Sequence, residues 1–226
     1  MIKKILFKIY LIVRESFLRK HLLRFLIFVN NYSYGWIKLF VIENGKHPKH
    51  EILRYDKFFA KHLNKESTVL DLGCGNGSLA KKISGEVKRV VAIDISERNI
   101  EEAEKINSRD NITYIKGDAT SFDFKDKFDS IVLSNVLEHI EDRIEFLKKL
   151  HQLSDIILIR VPMLDRDWLS VYKKENGYEY RLDNTHFVEY TTKLLKEELR
   201  VSSWRLKEYS IQFGEFWGVL INFDKQ

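Results

Sequence analysis

The amino-acid sequence predicts an α/β fold: a doubly wound, mostly parallel seven-stranded sheet with an antiparallel edge strand, plus an N-terminal helical extension. Three observations predict it. From residue 67, short β-branched runs alternate with helical stretches, which is typical of a parallel sheet covered on both faces. Right-handed crossovers then give the doubly wound arrangement. The last two apolar runs are joined by a short turn, so we expect them to pair antiparallel.

The elements follow in order along the chain. Five strands are expected first, at STVLDLG, VKRVVAIDIS, NITYIKGD, KFDSIVLSN and SDIILIRVP, and Pro162 stops the fifth. Helices are expected between them at GSLAKKISG, ERNIEEAEKINSR and IEDRIEFLKKLHQL, and Gly85 ends the first of these. The chain closes with a helix at EYTTKLLKEEL, which starts near Thr191, and with two strands at WRLKEYSIQF and EFWGVLINF.

Composition limits the class of protein. A chain of 226 residues is long enough for one large α/β domain, or for one domain with an appendage. Hydrophobic residues make up 44% and charged residues 31%, which describes an ordinary globular protein. The single cysteine, Cys74, excludes an intrachain disulfide in this sequence and fits a reducing compartment. We therefore expect a cytoplasmic protein.

Charge is unevenly distributed along the chain. Residues 1–66 carry fourteen Lys and Arg against five Asp and Glu, a net charge of +9, whereas the whole chain carries +5. Residues 67–226 are therefore mildly acidic at −4. An acidic core disfavours a long contact with duplex DNA, whose binding depends on Lys and Arg meeting phosphates.

Residues 1–50 are predicted to form a basic amphipathic helical extension, and residues 51–226 the α/β domain. Charged residues interrupt the apolar centre, so neither a signal peptide nor a membrane span fits. On a helical projection the polar side holds Lys3, Lys4, Lys8, Arg14, Glu15 and Arg19, and the apolar side holds Ile5, Leu6, Ile9, Ile12 and Val13. Two roles stay open: contact of residues 1–30 with an anionic membrane surface, or a lid packed on the domain.

A glycine-rich turn follows the first strand in VLDLGCGNG. Gly73, Gly75 and Gly77 let the backbone approach a ligand closely and leave helix N–H groups pointing at it. The spacing differs from the G-x-G-x-x-G of NAD-binding sites, and Asp71 beside the turn would repel a pyrophosphate. The G-K-S/T of phosphate-binding loops is absent from this segment. A ligand without phosphate, carrying positive charge or hydroxyl groups, is favoured.

Four ordered motifs resemble those of class I S-adenosylmethionine-dependent methyltransferases, in their small-molecule branch. VLDLGCGNG looks like the family's first motif, VVAIDIS its second and YIKGDATSFDF its third, and FDSIVLSNVLEHIED is similar to the stretch that carries its VLEH sequence. The resemblance covers residues 67 to about 162. It implies a methyltransferase with S-adenosyl-L-methionine as its cofactor.

The resemblance also implies roles for single residues. Asp94 would bind the ribose hydroxyls, Asp118 would meet the adenine amino group rather than only form a turn, and backbone near Ser134 would contact the methionine end. The implied cofactor-binding residues are Asp71, Gly73, Cys74, Gly75, Gly77, Asp94, Ile95, Asp118, Ala119, Ser134 and Asn135. The chemistry agrees, because glycine backbone and three carboxylates supply acceptors for hydroxyls, an ammonium and an amine.

Methyl transfer depends mainly on orientation, and a hydroxyl acceptor benefits from a base near its proton. His139 is the first candidate base, since the reference pKa of histidine, about 6.5, lies close to neutral. A purely structural role for His139 stays open. A Glu138–His139 metal site, of the kind some relatives build from acids and histidines, is the other alternative, but the interpretation adopted holds no metal.

An insertion at about 163–190 is expected to bind the acceptor. It is long and rich in aromatic and charged residues, and loops of this length are usually functional. Its end resembles the H-x-x-E-Y/F-S/T pattern of some relatives, which makes His186 the second catalytic candidate. The candidate substrate-binding residues are Arg181, Trp168, Tyr172 and Glu189. A solvated loop with aromatic anchors is the alternative.

The expected function is O-methylation of a small, glycan or lipid-linked acceptor by a cytoplasmic enzyme, with peripheral contact to the inner face of the membrane left open. A cofactor-binding adaptor without catalysis is the alternative from another class. An RNA methyltransferase is less favoured, and an NAD dehydrogenase is disfavoured by the glycine spacing. A DNA amino-methyltransferase is not expected, because SNVL stands where N-P-P-Y/F would be.

Overall fold

The computed structural model describes residues 2–14, 16–43 and 47–223. Glu15, which the projection places on the polar side of the extension, lies outside the described residues, as does the side chain of Val13. The chain divides into two compact units.

The N-terminal unit holds the chain up to Leu53 together with the short segment Lys173–Glu179. Its helices are α1 (Ile2–Val13), α2 (Leu18–Phe40) and α3 (Lys49–Leu53). The first thirty residues thus form parts of two helices rather than one continuous amphipathic helix. Among the described residues, no helix is both long and apolar enough to cross a membrane.

Hydrogen bonds join the segment Lys173–Glu179 to α2 inside this unit. The ammonium of Lys173 donates to the side-chain oxygens of Asn30 and Asn31, at 3.0 and 2.6 Å. The amide of Asn31 donates to the carbonyl of Glu179 at 3.0 Å. Part of the predicted insertion therefore folds with the N-terminal helices.

The second unit, here called the sheet unit, holds Arg54–Tyr172 and the chain from Tyr180 onward. Its strands are β1 (Thr68–Leu72), β2 (Arg89–Asp94), β3 (Ile112–Lys116), β4 (Ser130–Ser134), β5 (Ile156–Pro162), β6 (Trp204–Gln212) and β7 (Glu215–Asn222). They form one sheet in the order β3-β2-β1-β4-β5-β7-β6. The first five are parallel, and β7 pairs antiparallel with both β5 and β6.

The predicted fold class is confirmed, with one refinement at the edge. The hairpin between β6 and β7 turns at Phe213 and Gly214, which both have positive φ. The later strand returns beside β5, so the reversed strand lies one place in from the edge and β6 is outermost.

Helices cover both faces of the sheet unit. They are α4 (Tyr55–Lys61), α5 (Ser78–Ser84), α6 (Glu97–Ile106), α7 (Arg143–Leu150) and α9 (Thr192–Val201), together with the start of α8 (Trp168–Glu175), whose last three residues belong to the N-terminal unit. Thr191 caps α9, because its hydroxyl accepts from the N–H of Leu194 at 3.2 Å. The predicted helix IEDRIEFLKKLHQL begins three residues late, at Arg143, since Leu137–His139 form a 3₁₀ turn and Ile140 is extended.

The central strands are buried on both faces, as continuous apolar runs predict. Leu70, Leu72 and Ile131 on one face and Val69 and Val132 on the other are all fully buried. Burying each such side chain stabilises the fold by about 1.5–3 kcal/mol. Strand order reverses between β1 and β4, and in open parallel sheets ligands bind beyond the carboxyl ends of strands at this point.

Candidate active site

The turn after β1 has a backbone that glycine suits best. Gly73, Gly75 and Gly77 have φ of +68°, +55° and +75°. A Cβ on Gly73 would lie 2.6 Å from a methyl of Val136, and one on Gly77 would overlap the Tyr114 hydroxyl. A Cβ on Gly75 would meet nothing within 4 Å. Two glycines therefore allow tight packing, and the middle one borders open space.

Asp94 ties this turn to the end of β2. One of its oxygens accepts from the N–H of Gly75 at 2.8 Å. The other accepts from the N–H of Ser96 at 2.9 Å and from the amide of Asn99 at 3.0 Å. The same carboxylate that the resemblance assigns to the ribose thus also fixes the shape of the glycine turn.

Two predicted cofactor residues at the turn, Asp71 before it and Cys74 within it, have buried side chains. Asp71 is 1% exposed, and its Oδ2 has no hydrogen-bond partner in the part of the chain that the structure describes. Burial, and next the nearby Asp94, raise the pKa of Asp71 to about 7. Burial raises the pKa of the Cys74 thiol well above its ordinary value. Neither residue lines the pocket above.

A pocket of about 800 Å³ opens beyond the carboxyl ends of β1, β2 and β4. Of the residues predicted from the sequence, it is lined by Gly73, Asp94, Ile95, Asp118, Ala119, Asn135 and His139. Asp71, Cys74, Gly75, Gly77 and Ser134 do not line it. Sequence reasoning missed Thr120, Glu141, Asp142, Glu145, Phe146 and Lys149. Their place in the sequence could have indicated them, because all of them follow the third strand or the VLEH stretch.

Asp118 has a local role as well as a place in the pocket. One of its oxygens accepts from the N–H and the hydroxyl of Thr120, at 2.9 and 2.8 Å. This is the side-chain turn that the sequence analysis set aside for this residue. The turn and the pocket lining coexist, because a carboxylate has several acceptor sites.

Asn135 directly follows β4 and has a left-handed φ of +58°. Its N–H donates to the carbonyl of Arg160 at 2.8 Å, and its side-chain oxygen accepts from the Arg160 guanidinium at 3.0 Å. Arg160 is 3% exposed, pairs with Glu215 at 3.1 Å and lies 3.8 Å over the ring of Tyr55. A buried cation thus fixes the pocket-lining end of β4.

A second cluster joins the VLEH stretch to the end of the insertion. Glu138 is fully buried, and neither carboxylate oxygen has a hydrogen-bond partner among the described residues. The ring centroids of His139 and His186 lie 4.5 Å apart at 85°. His186 is 7% exposed, whereas His139 is exposed and borders the pocket.

Hydrogen bonds define which imidazole nitrogens carry protons. His186 Nδ1 lies 2.9 Å from a Glu189 oxygen, and a carboxylate only accepts, so we assign the proton to Nδ1. His139 Nδ1 lies 2.9 Å from the Thr185 hydroxyl, which donates its own proton to Asp183 at 2.7 Å. Thr185 therefore accepts from His139. In the neutral form of each imidazole, a proton on Nδ1 leaves the lone pair on Nε2.

Burial shifts the acid–base behaviour of this cluster. Partial burial of the His139 ring lowers its pKa, an effect that His186 reinforces. Full burial raises the pKa of Glu138 to about 8. At neutral pH, His139 is therefore neutral. A positive charge next to Glu138 would stabilise its ionised carboxylate.

Comparisons with known proteins agree on the class. A family model described as a methyltransferase domain matches residues 70–154. The chain is 32% identical over 160 residues to ribosomal protein L11 methyltransferase of Thermotoga maritima, covering 67% of this chain and 58% of that protein. It is 32% identical over 117 residues to a ubiquinone biosynthesis O-methyltransferase of Bradyrhizobium diazoefficiens, covering 50% and 46%. The chain thus spans about half the length of these curated relatives.

Solved structures share the fold. The magnesium protoporphyrin IX methyltransferase of Synechocystis with bound SAH (S-adenosylhomocysteine) gives a TM-score of 0.60 at 18% identity, covering 90% of this chain and 99% of that one. The DhpI–SAH complex gives 0.61 at 17% identity, covering 79% and 88%. The chain belongs to the class I S-adenosylmethionine-dependent methyltransferases.

In this methyltransferase, the predicted acceptor residues divide into two groups. Glu189 is 1% exposed and accepts from Arg166 at 2.7 Å and from the N–H of Leu182 at 2.6 Å, besides holding His186. Arg181 donates to the carbonyl of His186 at 3.2 Å. Both shape the loop around His186.

The other group lies on α8. The rings of Trp168 and Tyr172 are 6.4 Å apart, and Trp168 is 77% exposed. Neither residue lines the pocket of the methyltransferase. The structure thus brings His139, His186 and Glu189 into one cluster, and their roles toward an acceptor stay predictions.

Proposed function

We propose that this chain transfers the methyl group of S-adenosyl-L-methionine to an oxygen of a small, glycan or lipid-linked acceptor. The observation that carries the proposal is a shared cavity: Asp94 and Asp118 line the same pocket as His139. Acids suit the cationic, hydroxyl-bearing cofactor. The histidine cluster suits a hydroxyl that must lose a proton.

The reaction balances as a direct displacement. The acceptor O–H gives up its proton, which ends in solvent, the oxygen attacks the methyl carbon, and the carbon–sulfur bond breaks with its electron pair left on sulfur. The products are the methylated acceptor and S-adenosylhomocysteine. The sulfonium is already a good leaving group, so holding donor and acceptor in line contributes most of the acceleration. A relative named as an O-methyltransferase of ubiquinone biosynthesis supports an oxygen acceptor.

Cofactor binding is tested by titrating S-adenosylhomocysteine in a calorimeter. Asp94→Ala removes the carboxylate that borders the pocket and holds Gly75. Hydrogen bonds to charged groups contribute about 1.5–3 kcal/mol, so we expect affinity to fall by roughly 10–100-fold. Asp123→Ala, an exposed acid after the third strand, is the control. Equal affinity in wild type and Asp94→Ala contradicts the proposal.

Turnover is tested with methyl-labelled S-adenosyl-L-methionine and a cell extract. We expect label in small or lipid-soluble products that resist mild base, as ethers do, and stoichiometric S-adenosylhomocysteine. A cofactor-binding adaptor would bind the nucleoside and release none of this product. Label found only in protein or RNA would contradict the proposed acceptor class and identify a macromolecular acceptor instead.

We propose further that α1 and α2 contact an anionic membrane surface. Large apolar side chains on these helices are exposed; Phe28, Trp36 and Phe40 are 62%, 45% and 78% exposed. With Tyr32 between them, they form a row of aromatic contacts one helical turn apart. Basic residues accompany them, including Lys3, Lys4, Lys8, Arg14, Arg19, Lys20 and Arg24. Apolar area and positive charge together favour an interfacial helix.

Flotation with phosphatidylserine-containing liposomes tests this contact. In the full chain, replacing Phe28, Trp36 and Phe40 by serine should abolish flotation, and raising the salt concentration should weaken it. Serine at Ile106 and Ile211, apolar residues of the sheet unit that are 51% and 50% exposed, is the matched control. Equal flotation of all three proteins contradicts the proposal.

A further inference from the structure

Glu138, His139 and His186 bring three potential ligand atoms close together. These atoms all lie within 4.8 Å of one another. Ligands of one tetrahedral ion, each about 2.0–2.2 Å from it, lie about 3.5 Å apart. Movements of roughly 1 Å would therefore bring all three onto one ion. The sequence showed only the adjacent pair, and folding adds His186 from 47 residues further along.

The Nδ1 atoms of His139 and His186 make hydrogen bonds of the kind found in metal sites. A metal-binding histidine usually donates its second N–H to a carboxylate, carbonyl or water, which fixes the ring and its tautomer. His186 donates to Glu189, and His139 donates to Thr185, which is itself held by Asp183. These hydrogen bonds occupy Nδ1 of both rings, so Nε2 is the nitrogen that each neutral imidazole could offer to an ion.

Glu138 supplies an independent reason to expect an ion. It is fully buried, and neither of its carboxylate oxygens has a hydrogen-bond partner among the described residues. A buried polar group without a partner costs about 1–3 kcal/mol, and more if charged. A metal ion bound to a Glu138 oxygen would give that oxygen a partner and offset this cost.

We propose that Glu138, His139 and His186 hold a divalent transition-metal ion such as Zn²⁺. Two imidazoles and one carboxylate disfavour Mg²⁺ and Ca²⁺, which prefer oxygen ligands. Three protein ligands leave coordination positions open, as in catalytic rather than structural sites. His139 borders the pocket, so an open position faces the place where the acceptor would bind.

This inference rests on the proposed function and specifies how the acceptor hydroxyl is activated. A hydroxyl oxygen on a divalent ion loses its proton more readily, as bound water does. The proton passes to solvent, and the oxygen attacks the methyl carbon as described above. His139 then acts as a ligand and not as a free base, because its Nε2 lone pair is used. Glu189 and Asp183 are positioning residues.

Metal binding is tested on full-length protein dialysed against a chelator. Zn²⁺, Mn²⁺ and Co²⁺ are titrated by calorimetry, and bound metal is counted after desalting. We expect one ion per chain and a visible Co²⁺ spectrum with nitrogen ligands. His139→Gln, His186→Gln and Glu138→Gln should each weaken binding by 100-fold or more. Glu189→Gln should weaken it by about 10–100-fold, as expected for a residue that orients a ligand.

His62→Gln, in the sheet unit but paired with Glu208, is the matched control and should bind like wild type. Binding unchanged in both histidine variants, or no bound ion in the wild type, overturns the inference. Should Glu138→Gln fail to fold, the histidine variants decide.

Metal-free protein distinguishes a failure of the metal proposal from a failure of the proposed function. Metal-free protein should still bind S-adenosylhomocysteine but should lose methyl transfer until metal is restored. Metal-free protein with full turnover overturns the metal and leaves the methyltransferase intact. If wild-type protein with its metal restored does not bind S-adenosylhomocysteine, the proposed function is overturned instead.

Discussion

At the scale of single residues, burial decides what the acids of the site do. Asp71 and Glu138 are 1% and 0% exposed, and burial raises the pKa of each toward or above neutral. Asp94 and Asp118 line the pocket and use oxygens to shape turns. The sequence identified three of these four acids by motif. It did not distinguish a buried acid from a pocket-lining one, since that depends on neighbours distant in sequence.

The stability of the sheet unit should depend on pH through Asp71. Its folded pKa, about 7, exceeds the ordinary value of 3.8, so between these values the native state holds a proton that the unfolded chain has released. The free energy of unfolding therefore falls as pH rises from about 4 to 7, by roughly 4 kcal/mol at 1.36 kcal/mol per pKa unit. Urea unfolding at several pH values measures this slope.

Asp71→Asn removes the titrating group and keeps its shape. The slope should become shallower between pH 4 and 7, with the variant gaining relative stability at pH 7. Asp123→Asn, with an exposed side chain, should keep the wild-type slope. Identical slopes in all three proteins contradict the prediction.

Gly77 should tolerate substitution far less than Gly85 at the other end of α5. Gly77 has φ of +75°, and a Cβ there would overlap Tyr114, so Gly77→Ala should cost about 1–3 kcal/mol of unfolding free energy. Gly85 has φ of −68°, and a Cβ would meet nothing closer than 3.9 Å. Gly85→Ala should leave stability unchanged or raise it by up to about 1 kcal/mol. Equal losses in chemical denaturation contradict this account.

At the scale of elements, agreement was best where local pattern and tertiary environment act together. The strands were predicted because apolar β-branched runs are both intrinsically favoured and buried. The start of α7 was missed because the backbone of Leu137–His139 forms a separate turn, which the charged residues after it do not reveal. The insertion was expected as one loop, yet it contains α8.

A buried ion pair joins α7 to α9. Arg143 donates to Glu198 at 2.9 Å, and the Tyr190 hydroxyl donates to the same carboxylate at 2.8 Å. Glu198→Ala leaves a half-buried guanidinium without its partner and should cost about 3 kcal/mol or more. Glu197→Ala, next in the chain, breaks only an exposed pair with Arg200 and should match the wild type. Thermal denaturation compares the two, and similar losses contradict the role given to Glu198.

At the scale of the whole molecule, the sequence predicted the cofactor side of the site better than the acceptor side. The cofactor residues follow successive parallel strands, so strand order alone brings them to one edge of the sheet. The acceptor cluster depends on how a long insertion folds back. His186 meets His139 through contacts that no local pattern encodes.

Ligand binding should raise the stability of the sheet unit. A ligand that binds only the native state adds RT ln(1 + [L]/Kd), which is about 2.7 kcal/mol at 100 times Kd. S-adenosylhomocysteine should therefore raise the melting temperature by several degrees in a concentration-dependent way. NAD should not, because the pocket-lining carboxylates of Asp94 and Asp118 disfavour its pyrophosphate. An equal shift with NAD contradicts the assignment of the pocket.

Cys74 gives the chain a built-in reporter. It is the one sulfhydryl in the sequence, and it lies 9% exposed within the glycine turn, where burial keeps it in the unreactive thiol form. An alkylating reagent reaches it only while that turn is open. The rate of Cys74 alkylation therefore reports how often the glycine turn opens. A nucleoside bound at the turn should lower that rate.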